Sequence, residues 1–294
     1  MNFGEPDDRS ERDQALIAGF HSRFSYLLCC DELSIKGMLK LNRWVDRFKS
    51  IAIRFLLVIG VSVLPKASGA EEEGLKRSGE EREEAPFDPV LQSVEGWAVH
   101  VDPALLSGDH AEVGGRALTL LANHLQRIAI LVPDPALSKL RQVEIWIEWE
   151  HPTLTAMQYH PSRRWLVANR HDPRLTRKVH ITRARALLSR DQMLKHPAVI
   201  LHELAHGYHD QFLGFNNPQV EAVYQQAKAT GKYEEVLLYT GRRVKHYGLN
   251  NAKEYFAEGT EAYFYRNDFF PFVRAELAEF DPSLHALLRN VWEE

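Results

Sequence analysis

Two histidines and a glutamate lie within one turn of chain in this 294-residue protein, in the stretch His202-Glu203-Leu204-Ala205-His206. Residues four apart share one face of an α-helix, so His202 and His206 can direct their imidazoles at the same metal ion. Glu203 stands beside the first histidine, where it can take a proton from a metal-bound water. The pattern predicts a zinc site with a general base next to it.

The residues around the motif favour a buried helix. Pro197 is suited to the first helical position, and Gly214 followed by Pro218 provides stop signals. These limits predict a helix of about sixteen residues, a common length in globular proteins. The alternative is a surface helix with two solvated histidines. The apolar residues at 198–201 and at Tyr208 argue against it.

A catalytic zinc site needs a third protein ligand, with the fourth position left to water. His209 is near in sequence, but the extended three-histidine pattern needs its last histidine ten residues after the first, where this chain has Phe212. Glu254, Glu258 and Glu261 are stronger candidates. Their spacing of four and three residues aligns all three carboxylates on one side of a helix.

The bulky or apolar residues of the segment that carries these glutamates predict that its helix is largely buried. Aligned carboxylates on a buried helix repel one another and are costly to desolvate unless a cation is present. Two alternatives stay open on these residues alone. Asn251 and Glu254 have capping-box spacing, and Glu258 with Glu261 could form a solvated acidic stripe. The bulky or apolar residues of the segment are Tyr255, Phe256, Ala262, Tyr263 and Phe264.

The combined pattern resembles a known enzyme family. H-E-L-A-H, a gap of 47 residues and then E-Y-F-A-E is similar to the gluzincin zinc metallopeptidases. The similarity is greatest to the group that includes the catalytic domain of anthrax lethal factor. There the downstream helix reads E-F-F-A-E and a Tyr-Gly pair lies seven residues before it, as Tyr247-Gly248 lies before Glu254 here. The resemblance covers roughly the C-terminal third of the chain and does not indicate which peptide or protein is cleaved.

The family resemblance assigns roles to individual residues. It implies that His202, His206 and Glu254 bind one zinc ion and that Glu203 activates the zinc-bound water. A site of this kind hydrolyses peptide bonds, and the implied fold is zincin-like.

Two further roles come from the same resemblance. Tyr247 would donate its phenol hydrogen to the tetrahedral intermediate, although a buried tyrosine packed near a turn is an open alternative. Glu258, one turn beyond Glu254, would accept a hydrogen bond from the non-metal nitrogen of a ligand histidine and fix its tautomer.

The elements expected around these residues alternate between strands and helices. We predict an α+β domain over residues 88–294, with a small mixed sheet packed on the active-site helices. The predicted strands are 96–101, 141–150, 158–168 and 178–181, with a hairpin over 235–247 turning at Thr240-Gly241. The predicted helices are 114–131, 218–230 and two short ones after Pro271 and Pro282, besides the two that carry the motif.

The N-terminal part reads as a leader over residues 1–70. Basic residues between 43 and 54, an apolar run at 55–64 and small residues at 68–70 resemble a signal peptide, at about residues 43–70, with cleavage near Ala70. The alternative is a buried strand. Ten apolar residues are too few to span a bilayer, so no stable membrane anchor is expected. The long stretch before it suggests either a true start at Met38 or a nonstandard extension over residues 1–37. We therefore predict a secreted or periplasmic protein.

Residues 71–87 are glutamate-rich and nearly free of apolar residues, which predicts a disordered linker.

The cysteine positions and the net charge limit which disulfides and binding partners are expected. Cys29 and Cys30 precede the cleavage site, so the mature chain has no disulfides. From Glu71 on, 36 − 10 = 26 basic and 40 − 8 = 32 acidic residues leave a net charge of −6. No nucleic-acid partner is therefore expected. The basic run from Arg163 to Lys195 is either a solvated face or a contact for an acidic partner.

Three functions are compatible with these observations. The first is a secreted zinc endopeptidase that acts on a peptide or protein substrate. The second is a zinc hydrolase that acts on a non-peptide amide or on cell-wall material. The third is a zinc-binding interaction protein without turnover, against which the intact Glu203 argues. The sequence does not indicate an oligomeric state.

Overall fold

The structure is a computed structural model that describes residues 87–294. The predicted leader 1–70, with its signal peptide, and the predicted linker up to residue 86 lie outside these residues. Within them, no helix is both long and apolar enough to cross a membrane.

A mixed sheet of five strands, in the order β1-β2-β3-β5-β4, forms the β part of the fold. Its three inner strands are parallel, and both edge strands are antiparallel to their neighbours. Two more strands, β6 and β7, form the predicted hairpin. The strands are β1 (Val90–Val94), β2 (Trp97–Val101), β3 (Ile145–Ile147), β4 (Gln158–Tyr159), β5 (Val179–Ile181), β6 (Val236–Leu237) and β7 (Arg243–Val244).

Nine α-helices accompany these strands in the described part of the chain. They are α1 (Ala111–Leu131), α2 (Ala136–Leu140), α3 (Arg163–Ala168), α4 (Arg190–Lys195), α5 (Val199–Tyr208), α6 (Pro218–Thr230), α7 (Ala252–Phe264), α8 (Arg274–Phe280) and α9 (Pro282–Glu293). The predicted α+β class with a small mixed sheet is confirmed.

Several element boundaries follow from local chemistry. The Asn217 side chain accepts N–H groups at the start of α6, and Gly231 ends that helix with a φ of +69°. The predicted strand 158–168 is wrong beyond Tyr159. Pro161 has no N–H for a ladder, and the Ser162 hydroxyl oxygen accepts the N–H of Trp165 at 3.2 Å, which starts α3.

The predicted strand 141–150 is reduced to β3, and both of its faces are buried. Ile145 and Ile147 join the main core, which the sheet shares with α1 and α5. Trp146 points to the opposite face and packs with Leu166 and Leu175. The alternation of apolar and polar residues along 141–150 predicts a half-buried strand, and this prediction is wrong because the segment after β4 covers the second face.

The helix that carries the histidine motif contacts the sheet closely at a glycine. A Cβ atom added to Gly207 would lie 2.4 Å from Val143 Cγ1 and 3.3 Å from a ring carbon of Tyr159. Gly207 is thus the point at which α5 reaches β4 without a side chain between them.

We predict that Gly207→Ala lowers the free energy of unfolding by about 1–3 kcal/mol, because the packed core must move to admit the methyl group. Gly115→Ala is the matched control, since a Cβ there meets nothing within 4 Å. That change in α1 should stabilise the protein by about 0.5–1 kcal/mol. Urea unfolding measures both, and equal effects would contradict the close approach.

Three buried histidines cluster on the face of the sheet that carries Trp146, opposite the main core. The His160 Nε2 and His180 Nδ1 atoms are 3.1 Å apart, and the ring of His151 lies 5.4 Å from that of His180. Burial, followed by neighbouring imidazoles, lowers the pKa of both His160 and His180 to about 3. These rings are therefore neutral in the folded protein over the physiological range.

This burial predicts a loss of stability in acid. Above the ordinary histidine pKa of about 6.5 both states hold these rings neutral. Below it the unfolded chain binds protons that the folded chain does not, so the free energy of unfolding falls from pH 6.5 towards 3. Urea unfolding of chelator-treated protein at pH 7.5 and 5.0 measures the effect. His160→Gln should weaken the pH dependence, and a flat profile in both proteins would contradict the prediction.

Candidate metal centre

The predicted metal helix is present as α5. Pro197 precedes it, and the helix continues from Tyr208 into a π-helical turn, His209–Leu213, which Gly214 ends with a φ of +79°. All but one of the residues of α5 are buried, which confirms the predicted apolar environment. The two motif histidines point from this helix towards α7.

The downstream glutamates lie on α7, and the helix start resolves one alternative. The Asn251 side chain accepts the N–H groups of Lys253 and Glu254 at 3.0 and 3.1 Å. The carboxylate of Glu254 does not close a capping box; it contacts the two imidazoles of α5 instead.

Three possible ligand atoms from α5 and α7 form a compact triangle. His202 Nε2 lies 3.1 Å from His206 Nε2 and 3.2 Å from Glu254 Oε2, and the third side, from His206 Nε2 to Glu254 Oε2, is 3.3 Å. Ligand atoms bound tetrahedrally at about 2.0–2.1 Å are about 3.3–3.4 Å apart. The triangle can therefore hold a metal ion, and it is one of two such groups in residues 87–294.

The hydrogen bond at Nδ1 of His202 leaves its Nε2 atom suited to bind a cation in this triangle. Its Nδ1 atom donates to Glu261 Oε1 at 2.6 Å, so the neutral ring carries a lone pair on Nε2. That lone pair faces the carboxylate oxygen of Glu254. Two acceptors in contact repel each other unless a proton or a metal ion lies between them.

The pKa values reflect the same competition between a proton and a metal. Burial by itself lowers the pKa of His202, but Glu254 and Glu261 raise it well above its usual value. Burial by itself raises the pKa of Glu254, yet hydrogen bonds with His202 and His206 hold it far below its usual range. A metal ion that binds here must displace a proton, so binding becomes stronger as the pH rises.

The hydrogen bond from a motif histidine that was predicted for Glu258 is accepted by Glu261 instead: the donor is His202 Nδ1. Glu258 Oε1 is 3.7 Å from His202 Nδ1, too far for a hydrogen bond, and its other oxygen accepts from Asn267 Nδ2 at 3.0 Å. Burial, followed by the Glu261 carboxylate, raises the pKa of Glu258 and favours its protonated form.

One participant was not predicted from the sequence. His196 Nε2 lies 2.9 Å from Glu261 Oε1, so one carboxylate oxygen serves two imidazoles. Burial by itself lowers the pKa of His196, but Glu261 raises it, so a positive charge balances the buried carboxylate. Its position six residues before His202 gave no periodic signal. His196, His202, Glu258 and Glu261 form the second group with metal-ligand spacing.

Glu203 lies between the metal triangle and the edge of the sheet. Its Oε2 atom accepts the backbone N–H of Tyr159 at 2.8 Å. The His160 N–H donates to the Lys178 carbonyl oxygen and its own carbonyl accepts the Arg177 N–H, both just before β5, so the alternate residue Tyr159 directs its N–H to the other side of the strand. Burial raises the pKa of Glu203, which makes its carboxylate a better proton acceptor.

Tyr247 is on the accessible side of the centre. It begins the 3₁₀ turn Tyr247–Asn250 just before α7, and 46% of its surface is exposed. A buried packing role is therefore wrong for this residue. Partial burial, followed by the carboxylate of Glu254, raises its pKa, which keeps the phenol protonated.

Comparisons of the chain with protein-family models, curated proteins and solved structures give no match.

We predict that Glu261→Gln lowers zinc affinity by about 10–100-fold, because the amide no longer accepts strongly from His202 and leaves its ring less basic. Competition with a chromophoric chelator measures the change. Glu258→Gln is the matched control, because a protonated carboxyl resembles an amide and does not contact His202 Nδ1. An equal loss in both variants, or none in Glu261→Gln, would contradict this assignment.

Proposed function

We propose that this chain is a zinc-dependent metallopeptidase of the gluzincin type. The observation that carries the proposal is the triangle of His202, His206 and Glu254, with the uncoordinated carboxylate of Glu203 one residue from the first ligand. The packing of α5 against both the small mixed sheet and α7 also supports a zincin-like fold.

The three ligands would hold the ion with two neutral imidazoles and one carboxylate. Zinc bound in this way supplies a Lewis acid, which acidifies water and polarises a carbonyl group. Glu261 keeps His202 in the tautomer that such a ligand needs.

Glu203 would act as the general base. The Tyr159 N–H binds only one of its oxygens, Oε2, so the other can accept the proton of the attacking water. The same carboxyl group can then return that proton to the leaving amine. Tyr247, being protonated and partly exposed, would donate a hydrogen bond to the carbonyl oxygen as its negative charge grows.

A peptide substrate is favoured over other amides by the position of β4. This strand pairs with β5 on one side only and ends the sheet beside Glu203. Extended peptides bind open sheet edges through backbone hydrogen bonds. The Tyr159 N–H is bound to Glu203, so a chain lying along β4 would pair with the other backbone groups of this edge and would bring its peptide bonds past the general base. Together with the signal-like leader in the sequence, this favours a peptidase that acts outside the cytoplasm.

We predict that Glu203→Gln keeps both the zinc and the fold but lowers peptide cleavage by at least about 10²–10⁴-fold, because an amide cannot take the proton of water. Cleavage of a broad peptide library and zinc content per chain are the measurements. Tyr247→Phe should reduce turnover less and leave substrate binding nearly unchanged.

Two outcomes would contradict the proposed function. Wild-type protein with one zinc per chain that cleaves no peptide would exclude the peptidase and leave a non-peptide substrate or a binding role. Full activity in Glu203→Gln would exclude the proposed general base even with zinc bound. His202→Ala, which removes a ligand, is the control for loss of the metal.

A further inference from the structure

Positive charge is concentrated in one segment of the described chain. Residues 87–294 contain 23 Lys and Arg and 25 Asp and Glu, and ten of the basic but only two of the acidic residues lie between Arg163 and Lys195. This segment has a net charge of +8. The rest of residues 87–294, with 13 basic and 23 acidic residues, has a net charge of −10.

Some of these basic residues are neutralised by neighbours, but those on α3 are not. Arg174 pairs with Asp172, and Lys178 pairs with Glu144. By contrast, the basic residues on α3 and directly after it form no ion pair within residues 87–294. These exposed residues are Arg163, Arg164 and Arg170.

The same short helix also exposes apolar surface. Trp165 is 44% exposed and Val167 is 54% exposed, whereas Leu166 is the residue that anchors α3 to the sheet. The Trp165 ring lies 5.2 Å from that of His171, which holds it against the domain. An indole beside free guanidinium groups is suited to a peptide that carries carboxylates.

The position of α3 connects this surface to the metal centre. Tyr159 donates its N–H to the general base Glu203, and Arg163 follows four residues later. An extended peptide advances about 3.3 Å per residue, so four residues of it cover about 13 Å. A peptide along β4 would reach α3 within a few residues of the bond next to Glu203.

We propose that α3 is a specificity site for acidic residues of the substrate, about three to five residues from the bond that is cut. The inference rests on the proposed peptidase function. Charge complementarity selects an acidic peptide, since three free arginines lie at the end of the strand that would bind it. Nucleic acid is disfavoured, because the remainder of the domain would repel a long polyanion.

The test separates binding from cleavage by using the full chain with Glu203→Gln. The probes are labelled twelve-residue peptides with three neighbouring Glu residues. In one peptide they lie in the N-terminal half and in the other in the C-terminal half. Each is compared with a peptide that has Gln at the same positions. Fluorescence anisotropy should show about tenfold tighter binding of one Glu peptide at low salt, from two or three exposed ion pairs. The preference should decrease as salt is added.

Arg163→Gln together with Arg164→Gln should remove this preference. The matched control is Arg116→Gln together with Arg289→Gln, which removes two exposed arginines without an ion pair in residues 87–294. The control should keep the tenfold difference. In wild-type protein, the peptide that binds best should also be cleaved with the lowest KM.

Equal binding of Glu and Gln peptides would overturn the proposal, as would an equal loss in the control. Tighter, α3-dependent binding of a single-stranded oligonucleotide would assign the surface to nucleic acid instead. A preference that emerges only after the glutamates of 80–84 are changed to Gln would assign it to this chain's own acidic segment. Wild-type cleavage without a Glu preference refutes only this inference. Selective binding without any cleavage refutes only the peptidase.

Discussion

Two buried helices must approach so closely that one carboxylate of α7 touches two imidazoles of α5. Glu254 meets this requirement, with its oxygen 3.2 and 3.3 Å from His202 and His206. The approach depends on small residues behind both helices. Gly207 lets α5 rest on the sheet, and Gly259 leaves room on α7 for Leu284. Because packed core holds both helices from behind, it fixes the shape of the triangle.

This arrangement buries several carboxylates in a region of low dielectric constant, where their desolvation is unfavourable. They remain tolerable because each has a different partner. Glu261 accepts from His196 and His202, and Glu258 is shifted towards its neutral form. Glu203 accepts a backbone N–H at the sheet edge and lies beside the candidate ligands His202 and His206 without belonging to their group. These glutamates have the same side chain, so the differences in their protonation and hydrogen bonding follow from their contacts.

Local signals in the sequence predicted much of this fold and centre. The four-residue spacing of His202 and His206 placed both rings on one face, and Asn251 caps the glutamate helix, although Glu254 does not close the capping box that their spacing allowed. The bounds of α6 and the turn between β6 and β7 were also predicted. These features depend on neighbours within one or two turns of chain, so periodicity and capping chemistry suffice for them.

Other features were decided only by tertiary structure. Which glutamate of α7 reaches His202 Nδ1 depends on the crossing of two helices, and the spacing could not choose Glu261 over Glu258. The contact between Tyr159 and Glu203 joins residues 44 positions apart. The sequence by itself determined which side chains could bind a metal, because their spacing on a helix is local. Packing against the sheet determined which carboxylate hydrogen-bonds to His202 and which reaches the sheet edge, because those contacts depend on atoms brought together across the core.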